Sequence, residues 1–210
     1  SIDALQSFVE VDYWRALILA DEGDWQQAIE VMPDNLRPLY DFPMFLQNRI
    51  VPELAEIALR SGNLEAADIL LQMSSDSEES MTSEQHAALE YLRGEAARQK
   101  GDIETTKKLW APLAEGNDDL YRAKAGLALT RLKVEKGELD TKGAIDALER
   151  LRYAWRGDQF EVQINYWLGK SYFENGDFLK GLNIMRDAAG YDDGTPLGRR
   201  ITAEMAVLFA

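Results

Sequence analysis

Apolar residues recur along this chain at steps of three and four, and short polar clusters interrupt them. That spacing is the signature of amphipathic helices. Within 158–175, Tyr166, Trp167, Leu168, Tyr172 and Phe173 form one wide helical stripe. Asn175-Gly176-Asp177 interrupts it, and Phe178, Leu182 and Met185 then resume at spacings of four and three. Read this way throughout, the pattern predicts helices at about 4–22, 24–32, 44–61, 63–73, 82–100, 102–115, 118–137, 141–155, 158–175 and 177–189, with a last one at about 196–209. Pro33 ends the second helix, and LRPLYDFP at 36–43 predicts an irregular stretch or one short turn. Pro52, inside a helical pattern, predicts a kink or a fresh start. SSDSEESMTS at 74–83 reads as a polar loop, with Thr82 or Ser83 capping the helix that follows.

The polar interruptions are themselves periodic. DEGDWQQAIEVM, RSGNLEAADILL, QKGDIETTKKLW and FENGDFLKGLNIM place a glycine and a polar residue before an apolar helix. Gly23, Gly62, Gly101, Gly137 and Gly176 are spaced by 39, 39, 36 and 39 residues. Near-equal periods in that range predict a solenoid of helical hairpins. A glycine tolerates the left-handed conformation that closes a helix, and an Asp or Asn after it can cap the next one. Gly169 and Gly181 sit where two antiparallel helices would touch most closely.

These positions resemble the tetratricopeptide repeat (TPR). With Gly176 at the family's turn, Leu168-Gly169 falls on its Leu-Gly pair, Tyr172 on its first-helix aromatic, Gly181 on the small residue of the second helix and Ala188 on the later Ala. The same register places Ala16 with Ala28, Ala55 with Ala67, and Gly94 with Thr106. The fourth copy departs from the pattern. Thr130 stands where Gly or Ala is usual, and ELDTKGAIDALERL lengthens the turn. The family's terminal Pro is missing throughout, and the period is nearer 39 than 34. The resemblance implies an all-α, right-handed solenoid of about five antiparallel pairs plus a C-terminal helix. It reads as one domain over 1–210, with units at about 4–35, 44–74, 82–116, 118–156 and 158–190. A start without Met and the apolar tail Met205–Ala210 are what a piece of a longer array would show.

Composition narrows the chemistry. An apolar share of 46% suits a folded chain, and no apolar run is long enough to cross a bilayer. There is no Cys, which removes disulfides, thiolate nucleophiles and Cys-based zinc sites, and His86 stands alone. The acidic loop at 74–83 and Asp192-Asp193-Gly194 lack the ligand spacing of a calcium loop, and the latter reads as a turn. No phosphate-binding glycine motif or nucleophile elbow occurs, so no cofactor, metal or catalytic residue is expected. In LERLRYAWRGD, Arg150, Arg152 and Arg156 lie beside Tyr153 and Trp155, but Leu148, Leu151 and Trp155 already supply a core face.

Charge points to a class of partner. Of the net charge of −14, residues 1–105 hold 21 acidic and 7 basic side chains, and the remainder balances. That field repels nucleic acid and anionic lipid and attracts a protein with a basic segment. In the TPR family the first helix of each repeat lines the concave face. Its positions here are Tyr13 and Leu17, then Glu56 and Arg60, then Tyr91, Glu95 and Arg98, then Leu127 and Arg131, then Tyr166, Lys170 and Phe173. Some of these aromatics would instead pack against neighbouring helices. The family's co-chaperones hold a C-terminal carboxylate through Lys, Asn and Arg; the matching residues here, Tyr13, Leu17, Glu53, Ala88 and Leu92, cannot. The resemblance implies a non-catalytic scaffold or adaptor binding a peptide or helix. Homo-oligomerisation through the stack ends, or regulation of an enzyme outside this chain, stay open as alternatives. LERLRYAWRGD resembles long bacterial TPR proteins, which implies a soluble bacterial protein of the periplasm or the cytoplasm.

Overall fold

The computed structural model describes residues 2–76, 78–155, 159–191 and 196–208. Arg156 and the Asp192-Asp193-Gly194 turn, both singled out in the sequence, lie outside them. The described residues form eleven α-helices and no strand. These are α1 (Ile2–Asp21), α2 (Trp25–Val31), α3 (Met44–Arg60), α4 (Leu64–Asp76), α5 (Ser83–Gln99), α6 (Ile103–Ala114), α7 (Asp119–Glu135), α8 (Thr141–Ala154), α9 (Gln159–Glu174), α10 (Phe178–Tyr191) and α11 (Pro196–Leu208). The stretch 36–43 holds a single 3-10 turn, Arg37–Asp41. Contacts group the chain into two compact units, Ser1–Trp110 and Ala111–Ala210, each an all-α set of antiparallel pairs.

One local device makes every pair. Gly23, Gly62, Gly101, Gly137 and Gly176 have φ between 71° and 87°, and no other described residue has positive φ. At each, the residue after the glycine donates its N–H to a carbonyl five residues back, as Asp24 does to Leu19 at 2.8 Å and Asp177 to Tyr172 at 2.9 Å. The glycine N–H bonds three residues back, as Gly23 does to Ala20 at 3.0 Å. This is the Schellman closure, which satisfies carbonyls that a helix end leaves open. The residue that closes one helix then starts the next. Asp24, Asn63 and Asp102 each accept, through Oδ1, the N–H three residues ahead at 3.1 Å. In the fourth pair the two jobs separate: Gly137 closes α7, and Asp140 caps α8 through Gly143 N–H at 2.7 Å. That is the lengthened turn.

Small residues then set how closely the helices approach. A Cβ on Gly169 would stand 2.4 Å from Met185 Cγ and 3.0 Å from the Gly181 carbonyl oxygen. One on Gly181 would meet the Gly169 oxygen at 2.7 Å. In the third pair Gly94 faces Trp110, whose indole would lie 2.2 Å from an added Cβ. Trp110 is fully buried, donates to the Tyr91 carbonyl at 2.9 Å and stacks on the Tyr91 ring. In the fourth pair the close approach moves one turn back, to Gly126 against Leu151. Thr130 is buried and satisfies its hydroxyl on the Gly126 carbonyl at 2.8 Å.

Pro52 does not restart α3; the helix runs unbroken through it. Pro52 lacks the N–H that would normally bond the Asn48 carbonyl. Gln85 Nε2, from α5, donates to that carbonyl at 3.3 Å, while Gln85 Oε1 accepts from Thr82 N–H in a capping box. The acidic loop is tied down nearby. Glu78 pairs with Arg93 at 3.0 Å and lies 3.3 Å from His86 Nδ1, and Ser80 accepts from Asn48 Nδ2 at 2.8 Å.

The glycines divide into testable kinds. Gly62→Ala meets no neighbour but keeps a left-handed φ, and should cost about 1–2 kcal/mol. Gly169→Ala is overpacked and should cost about 1–3 kcal/mol. Gly190→Ala, in open space inside α10, should gain about 0.5–1 kcal/mol. Urea unfolding midpoints of the three variants check all three signs. The Arg93 hydrogen bond holds the Glu78 carboxyl below its usual range. A depressed folded value means its stabilisation is present above the unfolded carboxylate value and is lost as pH falls through the folded one. The midpoint difference between the parent and Glu78→Gln should therefore be widest near neutrality and close on acidification.

Candidate functional site

The second unit holds a pocket of about 240 Å³ between its two leading helices. Arg131, Val134 and Glu135 come from α7, and Trp167, Lys170 and Glu174 from α9; Ala144 and Leu148 of α8 are also in its lining. The spacing does this. Residues 131, 134 and 135 share one face of α7, and 167, 170, 171 and 174 share one face of α9. Leu148 belongs to the buried cluster of Leu127, Ile145, Ile164 and Leu168, so the floor is anchored in the core.

Two cations grip one ring. The Arg131 guanidinium lies 4.1 Å, and the Lys170 ammonium 5.3 Å, from the Trp167 ring centroid. Each is a cation–π contact, which fixes the indole as a wall of the pocket. Glu135 and Glu174 are exposed at its edge. Thr130 and Ser171 turn their hydroxyls to backbone carbonyls of their own helices, 2.8 and 2.9 Å away. The lining is thus apolar below and mixed in charge above.

Beyond the pocket, two bonded sets tie the unit together. Tyr172 donates to Glu149 Oε1 at 2.8 Å and accepts from Lys180, linking α8, α9 and α10. Burial, above the other influences, pushes the Tyr172 phenol up. Tyr166 donates to Glu204 Oε2 of α11 at 2.7 Å. That bond, with Arg200 and then Lys170 adding to it, holds the Glu204 carboxyl below its usual range.

The residues carried over from the resemblance separate into three groups. Arg131 and Lys170 meet at the pocket. Tyr13, Leu17, Leu127, Tyr166 and Phe173 are buried in the cores of their units, because their faces of the helices meet a neighbouring element before they meet solvent. Tyr13 donates to the Asn35 carbonyl and Tyr166 to α11, so both phenols serve packing. The others lie in the first unit. There Glu56 pairs with Arg60 at 2.8 Å and Glu95 with Arg98 at 2.6 Å, and Arg60 stacks 3.7 Å over Trp25. Tyr91, half-buried, stacks on Trp110. From sequence Trp167 is read only as part of the helical stripe of 158–175, and Val134, Glu135 and Glu174 are not singled out. Their signal was the three-and-four spacing around Arg131 and Lys170, which marks a face without saying what it faces. Leu148 is buried and Leu151 and Trp155 are half-buried, which leaves Arg150 exposed.

Among the described residues no group of His, Asp and Glu could hold a metal, and no helix is long and apolar enough to cross a membrane. No family model and no curated protein matches the chain. Among solved structures it is similar to a kinesin light chain with nearly identical TPR-like repeats from Podosopora anserina, at 16% identity over 95% of this chain and 97% of that one, with a TM-score of 0.47. It is also similar to a point variant of that protein, at 17% identity over 96% and 97%, with a TM-score of 0.50. The second likeness supports the fold: an all-α solenoid of TPR-like helix pairs.

Tyr13 gives a direct check on its placement. Burial, with Glu10 adding to it, pushes its phenol up to about 12. The neutral form is the native one, so its contribution is intact below the ordinary tyrosine value near 10 and lost as pH rises through about 12. Tyr13→Phe should lower stability by about 1 kcal/mol at neutral pH. It should also remove a phenol titrating near pH 12 from the absorbance change at alkaline pH, with partner binding untouched.

Proposed function

We propose that this chain is a non-catalytic interaction module that holds a protein partner through an extended peptide or a helix. The observation that carries this reading is the pocket in which Arg131 and Lys170 clasp Trp167 over an apolar floor. Its volume, about 240 Å³, lies below the ~300–1,000 Å³ usual for small-molecule sites. It suits one large side chain of a peptide better than a cofactor. A rigid aromatic wall with an adjacent Arg is the composition of an interface anchor point. Glu135 and Glu174 at the rim would accept basic residues flanking an apolar anchor. The negative charge of residues 1–105 favours the same kind of partner, and makes its capture sensitive to salt. The TPR-like fold is compatible with that role.

Immobilised protein should retain a specific partner from extract of the source cells at low salt and release it at high salt. Glu135→Lys/Glu174→Lys changes only exposed side chains and should weaken retention by at least about tenfold, since like charges would then face the basic segment. Trp167→Ala should weaken it too, with a circular-dichroism melt run alongside to show that the unit remains folded. A partner held equally well by the parent and both variants would show that the pocket is not the docking point.

A further inference from the structure

An apolar patch stands where α3 begins. Tyr40, in the 3-10 turn, is 56% exposed, and Met44 and Phe45, in the first turn of α3, are 56% and 76% exposed. This openness belongs to the repeat and not to a missing neighbour. Met44 and Phe45 stand eighteen and seventeen residues before Gly62. At the same distances before Gly101 and Gly137 stand Ser83 with Glu84, and Asp119 with Leu120. Ser83, Glu84 and Asp119 are exposed and Leu120 is half-buried, although helix pairs precede and follow both copies in the chain. The patch is also held rigid. Gln47 Nε2 donates to the Tyr40 and Phe42 carbonyls at 3.3 and 2.7 Å, which clips the turn to α3, and Pro38 and Leu39 of the turn are buried. An aromatic side chain already fixed in place loses little freedom on binding.

The charge beside the patch selects its occupant. Asn48 follows Met44 by one helical turn on the same face. Its Nδ2 donates to Ser80 Oγ at 2.8 Å, and its carbonyl accepts from Gln85 Nε2 at 3.3 Å. These bonds bring Glu79 and Glu84, the chain neighbours of Ser80 and Gln85, to the start of α3. Both carboxylates are exposed, and neither has an ion-pair partner among the described residues. The cations near the patch are matched: Arg37 stands between exposed Asp34 and Asp41, and Arg49 lies within electrostatic reach of Glu53.

We infer that this edge of the first unit, apolar at Tyr40, Met44 and Phe45 and acidic at Glu79 and Glu84, docks a basic amphipathic helix of another protein. The apolar face of that helix covers Met44 and Phe45, and its Lys or Arg side chains reach the two carboxylates. The described residues include no strand, so there is no sheet edge for an extended peptide to join, whereas a helix arrives with its backbone bonds already made. None of these residues belongs to the pocket at Trp167, whose lining lies wholly in the second unit.

Fluorescence anisotropy with a labelled peptide of Leu and Lys at helical spacing tests this, beside a Leu and Glu peptide of the same pattern. The full chain carries Glu135→Lys/Glu174→Lys throughout, which turns a basic peptide away from the second unit's pocket and leaves the first unit unchanged. It should bind the Leu/Lys peptide, more weakly as salt rises, and not the Leu/Glu peptide. Adding Met44→Ser/Phe45→Ser should weaken binding by at least about tenfold. Adding Glu79→Gln/Glu84→Gln should weaken it by about three- to tenfold and flatten its salt dependence. Melts should match throughout, because all four side chains are exposed. Failure to bind the Leu/Lys peptide overturns the inference, as does equal binding of the Leu/Glu peptide or binding indifferent to Met44→Ser/Phe45→Ser. A dimer in sedimentation velocity that Met44→Ser/Phe45→Ser abolishes also overturns it, since the patch would then be covered by a second copy.

Discussion

The left-handed glycine at each turn is the constraint on which the remaining structure depends. A helix closed by the Schellman turn needs positive φ at the closing position, and an L side chain there is strained. Gly23, Gly62, Gly101, Gly137 and Gly176 meet that demand in turn. Because Asp24, Asn63 and Asp102 both close one helix and cap the next, the second helix begins in a fixed phase relative to the first. In the fifth pair, where Asp177 closes α9 on the Tyr172 carbonyl, Gly169 stands opposite Gly181. The hairpin is therefore specified locally, before any long-range packing.

Packing between pairs is less uniform, and each departure is compensated. Gly94 leaves room for a whole indole, and Trp110 fills it with its N–H satisfied. The fourth pair gives up a small residue at Thr130 and recovers the close approach at Gly126. Pro52 removes a bond from α3, and Gln85 reaches across from α5 to take the carbonyl. A buried polar group left alone costs about 1–3 kcal/mol, which is why these substitutions arrive with partners.

Charge separates the surfaces. In the first unit the acids and cations at the carried-over positions largely neutralise one another within single helices, as in Glu56–Arg60 and Glu95–Arg98. Exposed pairs of this kind add little stability. In the second unit the cations Arg131 and Lys170 are spent on an aromatic ring, and carboxylates remain at the rim. The same residue types thus do different work according to what stands beside them.

Sequence by itself determined the helices, the turns and the points of closest approach, because each depends on residues near one another in the chain. Helix boundaries from the apolar spacing fell within a few residues of those observed, and all five ruler glycines took positive φ. Tertiary structure decided which face of each helix is open. Tyr13 and Tyr166 have the same residue type and local spacing as an exposed aromatic would, yet the Asn35 carbonyl and the α11 carboxylate draw them inward. Trp167 looked like one more core residue and became a pocket wall because α7 supplies Arg131 from 36 residues away. Periodicity assigns a residue to a face of its helix, but exposure depends on the neighbouring helices, and those contacts are made by parts of the chain that local spacing does not describe.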